Sequence, residues 1–161
     1  MNEILELLQS DARLTAEEIA AMLKKDAKAV RKQIKQLEDD GIIVKYGAVV
    51  NPEKVPTKKE VVRAIIELRV TPERETGFDT LAERIYKFPQ VESVYLVSGG
   101  YDLQVIIEGK TLKEVAFFVS EKLAALNGVR GTKTHFVLKK YKENGTIFSG
   151  KEKSSRLSIV P

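Results

Sequence analysis

The chain contains no cysteine and a single histidine among its 161 residues. Without thiols there are no disulfides and no thiolate metal sites, and one histidine leaves no Cys/His nucleophile pair. No apolar run approaches the roughly 20 residues that cross a bilayer, and the N-terminus carries acids where a signal peptide would be basic. These absences favour a cytoplasmic protein that binds its partners non-covalently, with no metal, no cofactor and no membrane contact.

The basic residues are unevenly distributed along the chain. A formal net charge of +4 is too small to identify a partner by itself. The stretch from Lys24 to Lys35, however, holds six basic residues against one acid, Asp26. Cationic charge is therefore concentrated on one local element.

Three short helices are predicted before Gly41. Apolar residues at helical spacing indicate a first helix over Glu3–Ser10. Thr15 followed by Glu18 is the signature of a capping box and begins the second helix. Asp26 is a good N-cap for a third, longer helix, which Gly41 can end in a left-handed conformation. Once the apolar face of this third helix is buried, its cations must point away from the core.

The pattern changes after Gly41. Residues 42–50 are β-prone with a Lys-Tyr-Gly turn, which predicts a small β-wing. The next residues are polar and interrupted by two prolines, which disfavour helix and central strands. We therefore place a first domain at 1–50 and a linker at 51–60.

From Val61 the chain repeats a β-α-β unit. Alternating apolar residues predict strands at 62–70, 91–98, 101–108 and 132–142. An amphipathic helix inside each unit predicts a four-stranded antiparallel sheet with both helices on one face. The second domain at 61–142 is thus a β-α-β-β-α-β, ferredoxin-like sandwich, and the fold class is α+β. The tail at 143–161 shows no clear pattern.

The basic third helix, braced by two others, has the geometry of helix-turn-helix DNA readers. Its cations can reach phosphates and its amides suit adenine edges, and we predict Lys32 and Gln33 at base edges. A solvated helix that carries lysines for solubility is the alternative, against which the capping box, short turn and wing weigh. The predicted DNA-binding residues are Lys24, Lys25, Lys28, Ala29, Arg31, Lys32, Gln33, Lys35, Gln36 and Lys45.

Three segments carry a family resemblance. Val30–Ile43 resembles the helix and following turn of the leucine-responsive and asparagine regulator (Lrp/AsnC) family. Val94–Leu103 is similar to the strand-turn-strand that contains the family's G-x-Y-D-L motif, and Gly128–Thr134 resembles its last-strand signature. The three segments occur in the family's order, and the resemblance spans Met1–Lys142.

The resemblance implies a sequence-specific transcription regulator and not an enzyme. It implies a winged helix-turn-helix that binds double-stranded DNA, and a regulatory domain that pairs its sheet across a homodimer and can assemble further into an octamer. It also implies a small-molecule effector, commonly an amino acid, bound between subunits. The effector-binding residues that it suggests are Gly99, Gly100, Tyr101, Asp102, Thr132 and Thr134.

The turn at Gly99 and Gly100, here called the glycine turn, has two interpretations. Paired glycines let backbone N–H groups approach a carboxylate, and Asp102 can hold an ammonium group, so the turn can read both ends of an amino acid. The same residues also make a good hairpin connection without any ligand. His135 is placed on the opposite face of the last strand from Thr132 and Thr134, without a nearby carboxylate, and receives no role.

Two other functions share this architecture. Siroheme decarboxylases resemble it, but such a site calls for histidine and arginine to protonate and anchor tetrapyrrole carboxylates. The single histidine and the cationic third helix weigh against that enzyme. An architectural DNA-compacting protein would make the same DNA contacts and ignore metabolites.

Overall fold

The structure is a computed structural model that describes residues 2–51, 54–56 and 61–148. The chain divides into two compact units, Met1–Val50 and Asn51–Pro161. No helix in the described ranges is long and apolar enough to cross a membrane. Most of the predicted linker and the tail beyond 148 lie outside the described residues, and the predicted domain boundaries remain predictions.

Three helices build the first unit. Their bounds are α1 (Glu3–Ser10), α2 (Ala16–Leu23) and α3 (Ala27–Asp39). Each contributes to one apolar core, which consists of Ile4, Leu8, Ile19, Ala20, Val30 and Leu37. The three predicted helices are confirmed.

Side-chain caps fix where the helices begin. The Thr15 hydroxyl accepts a hydrogen bond from the Glu18 backbone N–H at 3.2 Å, and the Glu18 carboxylate accepts one from the Thr15 N–H at 2.8 Å. This reciprocal pair is the predicted capping box of α2. Asp26 caps α3 by accepting from the Ala29 N–H at 2.9 Å. Gly41 follows α3 with φ of +68°, the left-handed conformation expected there.

The segment after α3 differs in detail from the predicted wing. Residues 42–50 contain no strand. The Ile43 N–H donates to the Leu37 carbonyl at 2.9 Å, and Tyr46 Oη donates to Glu38 Oε1 at 2.9 Å. The segment is β-prone, but its own unit offers no second strand to pair with, so its backbone has no ladder to join.

The second unit has the predicted β-α-β-β-α-β order. Its elements are β1 (Val62–Val70), α4 (Asp79–Tyr86), β2 (Val91–Leu96), β3 (Leu103–Gly109), α5 (Leu112–Phe117) and β4 (Val129–Phe136). A π-helical turn, Phe118–Leu123, continues α5. The strands pair antiparallel in the order β2-β3-β1-β4, which confirms the α+β class with its four-stranded sheet. The last strand begins and ends earlier than predicted.

Helices cover one face of this sheet. Alternate residues of β1 and β3 are buried there with the helical residues, and this core includes Ala64, Ile66, Leu68, Leu81, Ile85, Leu103, Val105, Ile107, Val115 and Leu123. The intervening strand residues point to the opposite face, here called the outer face. On β1 the outer-face residues are Arg63, Ile65, Glu67 and Arg69.

A short hairpin follows β4, where no pattern was predicted. It consists of β5 (Lys142–Glu143) and β6 (Thr146–Ile147). Glu143 Oε1 lies 2.8 Å from Arg63 Nη1 on β1, and Phe148 is buried. Residues 143–148 are therefore ordered against the second unit. Strands of two residues are too short to produce a readable alternation in the sequence.

Candidate DNA interface and effector cavity

The outer side of α3 is exposed along its length. Val30 and Leu37 are buried and Ile34 packs beside them, which fixes the side that faces the core. All seven predicted contacts on α3 are exposed, namely Lys28, Ala29, Arg31, Lys32, Gln33, Lys35 and Gln36. At about 100° per residue, Lys28, Lys32 and Lys35 form a stripe directly opposite the buried side. We call these three residues the lysine stripe.

The turn between α2 and α3 supplies two further cations. Lys24 ends α2 in a left-handed conformation with φ of 53°, which the sequence did not indicate. Lys25 Nζ lies 2.7 Å from Glu3 Oε2, and this hydrogen bond and ion pair hold the pKa of Glu3 below its usual value. Both lysines are exposed. The turn therefore brings its positive charge next to the start of α3.

The predicted DNA-binding cations are not equivalent. Arg31 is ion-paired with Glu17 of α2, as Lys25 is with Glu3. The lysine stripe has no ion-pair partner among the residues that the structure describes. Lys45 is exposed in the segment after α3. The lysine stripe thus concentrates positive charge that no described carboxylate of the first unit neutralises. A polyanion such as DNA gains the most binding free energy by contacting it.

Asp102 fastens the glycine turn to β1. Its Oδ2 accepts from the Val70 N–H at 2.8 Å, and its own N–H donates to the Leu68 carbonyl at 2.9 Å. The pairing of β1 with β4 shifts register between Arg69 and Val70, so the carboxylate satisfies backbone at an irregular point. One Asp102 oxygen is therefore already used, a structural role that the sequence reasoning missed. Gly99 and Gly100 are exposed in the turn.

The register of β4 separates the predicted effector residues. Thr134 is paired with Ile66 and Thr132 with Leu68, and directly paired residues share a face. Because Ile66 and Leu68 are fully buried, both threonines belong by pairing to the helix-covered side, and Thr132, close to the register shift after Arg69, also borders a cavity on the outer face. The outer face instead receives Lys133, which lies within the last-strand segment of the family resemblance but was not among the predicted effector residues.

A cavity of about 220 Å³ opens on the outer face beside the glycine turn. Its lining residues are Glu67, Arg69, Tyr101, Gly131, Thr132 and Lys133. The structure thus brings Tyr101 and Thr132 to one site, while Gly99, Gly100, Asp102 and Thr134 are not part of its lining. Alternation along β1 could have indicated Glu67 and Arg69, since they are charged residues facing away from an apolar core.

His135 has a carboxylate partner after all. Its Nε2 lies 3.0 Å from Glu67 Oε1 on the neighbouring strand. The prediction that no carboxylate is near His135 was wrong, because the contact joins positions 68 residues apart that strand pairing brings together. At the cavity edge, Tyr101 Oη donates to Gln104 Oε1 at 2.9 Å. These two contacts hold the polar groups around the cavity in place.

A three-helix unit with an exposed cationic third helix, next in sequence to an α+β unit with its own cavity, defines the class of ligand-responsive helix-turn-helix regulators. Comparison with protein families gives the same two parts. A winged helix-turn-helix DNA-binding family matches residues 2–44, and the Lrp/AsnC ligand-binding domain family matches residues 63–147. The chain belongs to the Lrp/AsnC family of transcription regulators.

Similar proteins carry the same assignment. The chain is 45% identical over 159 residues to YugG of Bacillus subtilis, an uncharacterized HTH-type transcriptional regulator, and the match covers 99% of this chain and 95% of that one. It is 32% identical over 141 residues to the HTH-type transcriptional regulator FL11 of Pyrococcus furiosus, covering 88% and 89%. The chain is accordingly a DNA-binding transcription regulator and not an enzyme.

Solved structures agree on the fold. A transcriptional regulator from Neisseria meningitidis, NMB0573, solved in complex with L-Met, matches with a TM-score of 0.68 at 28% identity over 88% of this chain and 89% of that one. AsnC of E. coli matches with a TM-score of 0.67 at 17% identity, over 88% and 91%. The predicted Lrp/AsnC resemblance and winged helix-turn-helix class are confirmed.

Proposed function

We propose that this regulator binds a specific double-stranded site as a homodimer, and that a small metabolite, most simply an amino acid, modulates it from the outer-face cavity. The observation that carries the DNA part is the lysine stripe, which is exposed on a braced helix and has no ion-pair partner among the described residues. A dimer presents two such helices to half-sites about one helical turn apart. With DNA as the partner, the proposed location is the cytoplasm.

The proposed contacts divide by chemistry. Lys32 and Gln33 read base edges, since lysine donates to guanine and the glutamine amide matches adenine. Lys28 and Lys35 bind phosphates on either side, and Ala29 and Gln36 approach the groove between them. Lys24, Lys25, Arg31 and Lys45 add phosphate contacts at the edges of the interface.

The effector and dimer proposals share the outer face. Ile65 and Ile106 are directly paired at its centre and only partly buried, so a second sheet can cover them and gain apolar burial. A subunit that packs there encloses the cavity, whose lining includes Tyr101 and Thr132. The L-Met bound by the Neisseria regulator supports an amino acid as the class of ligand. An octamer is the larger assembly to be tested.

Anisotropy titrations of labelled DNA test the DNA part. Duplex from upstream of the protein's own gene should bind more tightly than random duplex, and log affinity should fall steeply with log salt. Equal affinity for both duplexes would remove sequence specificity from the proposal.

Titrating the twenty amino acids while following DNA affinity and particle mass tests the effector part. At least one should change either quantity, because effector binding and DNA binding are linked through the assembly. If none does, the protein is an effector-independent, DNA-architectural protein. Light scattering of the same samples gives the assembly size.

A further inference from the structure

The cations of the outer face are matched unequally. Arg63 lies 2.8 Å from Glu143 Oε1 and 3.7 Å from Glu108 Oε1, so it is surrounded by carboxylates. Arg69 and Lys133, which line the cavity, have no ion-pair partner among the residues that the structure describes. On the same sheet face, Arg63 therefore has two carboxylates close to it, whereas the two cavity cations, Arg69 and Lys133, have none among the described residues.

Among the described residues that line the cavity, Glu67 carries the one carboxylate, and one of its oxygens already has a hydrogen-bond partner. Lys133 is its direct cross-strand neighbour, yet Glu67 Oε1 is turned to His135 Nε2 at 3.0 Å. Its other oxygen, Oε2, accepts no hydrogen bond from a residue in the described ranges, and Glu67 lines the cavity. The lining thus carries two cations and one carboxylate.

The space for a ligand lies beside these groups. Gly131 is paired with Arg69, and a Cβ added at Gly131 would meet no atom within 4 Å. A glycine at this strand position leaves open room next to the guanidinium. A volume of about 220 Å³ suits a small metabolite rather than a nucleotide or cofactor.

We propose that the effector is an amino acid with an acidic side chain. Its ammonium group pairs with Glu67, and its two carboxylates pair with Arg69 and Lys133, so that every charge in the cavity is matched. A neutral amino acid would leave one buried cation without a partner once a second subunit covers the site. This inference rests on the proposed function, because it names the chemical class of the ligand for the same cavity.

Isothermal titration calorimetry of the full chain tests the charge class directly. The ligands are L-glutamate and L-aspartate, each compared with its uncharged amide, L-glutamine or L-asparagine, which has nearly the same shape. At least one acid should bind roughly tenfold to a hundredfold more tightly than its amide, since a hydrogen bond to a charged group is worth more than a neutral one. An amide that binds as tightly as its acid overturns the inference.

Three single variants locate the binding. Arg69→Gln and Lys133→Gln should each reduce the preference for the acid at least tenfold. Lys122→Gln removes the same charge from an exposed position outside the cavity and should leave the preference unchanged. A preference that survives both cavity variants, or falls equally in the control, overturns the proposed site.

The design separates this inference from the proposed function. If a neutral amino acid binds and both cavity variants weaken it, the effector site stands and the acidic class is wrong. If none of the twenty amino acids binds, the proposed amino-acid effector fails together with the inference. Glutarate, which lacks the ammonium group, adds a check on Glu67: it should bind more weakly than L-glutamate, and Glu67→Gln should narrow that gap.

Discussion

The two units of the chain reach stability by different routes. Among the described residues, the first unit has six buried apolar side chains on three short helices, and each helix begins at a residue whose side chain caps it. In the described part of the second unit, thirteen apolar side chains are buried between a four-stranded sheet and its helices, and α4 begins without a side-chain cap, whereas Thr111 caps α5. A small core contributes less burial per residue, so the DNA-binding unit depends more on local caps.

The units also present their functional groups differently. The lysine stripe stands on one helix, and its position follows from the local 3.6-residue period. The cavity draws on three strands or turns that are distant in sequence, from Glu67 to Lys133. A helix face can therefore be read from a short segment, whereas the cavity exists only through strand register.

The largest expected effect comes from truncating each core. Ile19 and Ile66 are both fully buried, and replacing either by alanine should cost about 2–5 kcal/mol. Because the first core is small, Ile19→Ala should unfold the first unit and abolish DNA binding while the second unit still melts as in the wild type. Ile66→Ala should instead lower the melting temperature of the second unit. Scanning calorimetry measures both.

Met22→Ala is the matched control, since Met22 is 57% exposed on the same helix as Ile19. It should leave both transitions nearly unchanged. A single transition that all three variants shift together would show that the units do not differ in the way described.

The next largest effect concerns the lysine stripe. Lys32→Ala should weaken operator binding by roughly 1–3 kcal/mol and relax the preference for the operator over random duplex. Lys28→Ala and Lys35→Ala should weaken operator and random duplex alike, by less, and reduce the salt slope by about 1 each. Anisotropy at several salt concentrations measures this. Lys122→Ala is the control in the second unit, and an equal loss there would relocate the interface.

Removing the helix-capping threonine of either unit should have a smaller effect. Thr15 accepts from the Glu18 N–H at 3.2 Å in the first unit, and Thr111 accepts from the Glu114 N–H at 3.0 Å in the second. Either alanine variant should cost about 0.5–2 kcal/mol. Thr15→Ala should lower DNA affinity as well, because α2 braces α3, whereas Thr111→Ala should not. Equal DNA affinity in both variants would contradict the dependence of the first unit on its cap.

Local signals were enough to predict most of the fold. Thr15, Asp26 and Gly41 each have a conformational role that depends on residues no more than four positions away, and each was found where expected. The alternation of β1 was likewise sufficient to identify its buried side. These features follow from periods and caps that a single segment contains.

The sites that depend on distant pairing could not be predicted in the same way. The contact between His135 and Glu67 requires the β1–β4 register, in which a shift of one residue exchanges the two faces. That register also places Thr134 on the covered side and Lys133 on the outer side. The exposed helix face was thus predictable from residues 27–39 alone, while the cavity required the assembled sheet.

The smallest effect is a pH dependence within the first unit. The backbone and side-chain hydrogen bonds from Thr15 hold the pKa of Glu18 below its usual value in the folded protein. The unfolded chain therefore takes up a proton at higher pH than the folded one. The stabilisation by this carboxylate is complete above the unfolded pKa and is lost as the pH falls through the folded pKa. Glu18→Gln should therefore reduce the amount by which the first unit's melting temperature falls as the pH is lowered.

Glu143 offers the matching test in the second unit. Its pKa is lowered by the hydrogen bond from Lys140 and by the nearby Arg63, so it also stabilises above its unfolded pKa and loses that effect in acid. Glu143→Gln should reduce the fall of the second unit's melting temperature in acid and leave the pH dependence of the first unit unchanged. Glu18→Gln should have the reverse effect. Thermal melts followed by circular dichroism between pH 3 and pH 7 measure both pH dependences. If each variant changed both pH dependences equally, the two carboxylates would be reporting on one shared unfolding step and not on separate units.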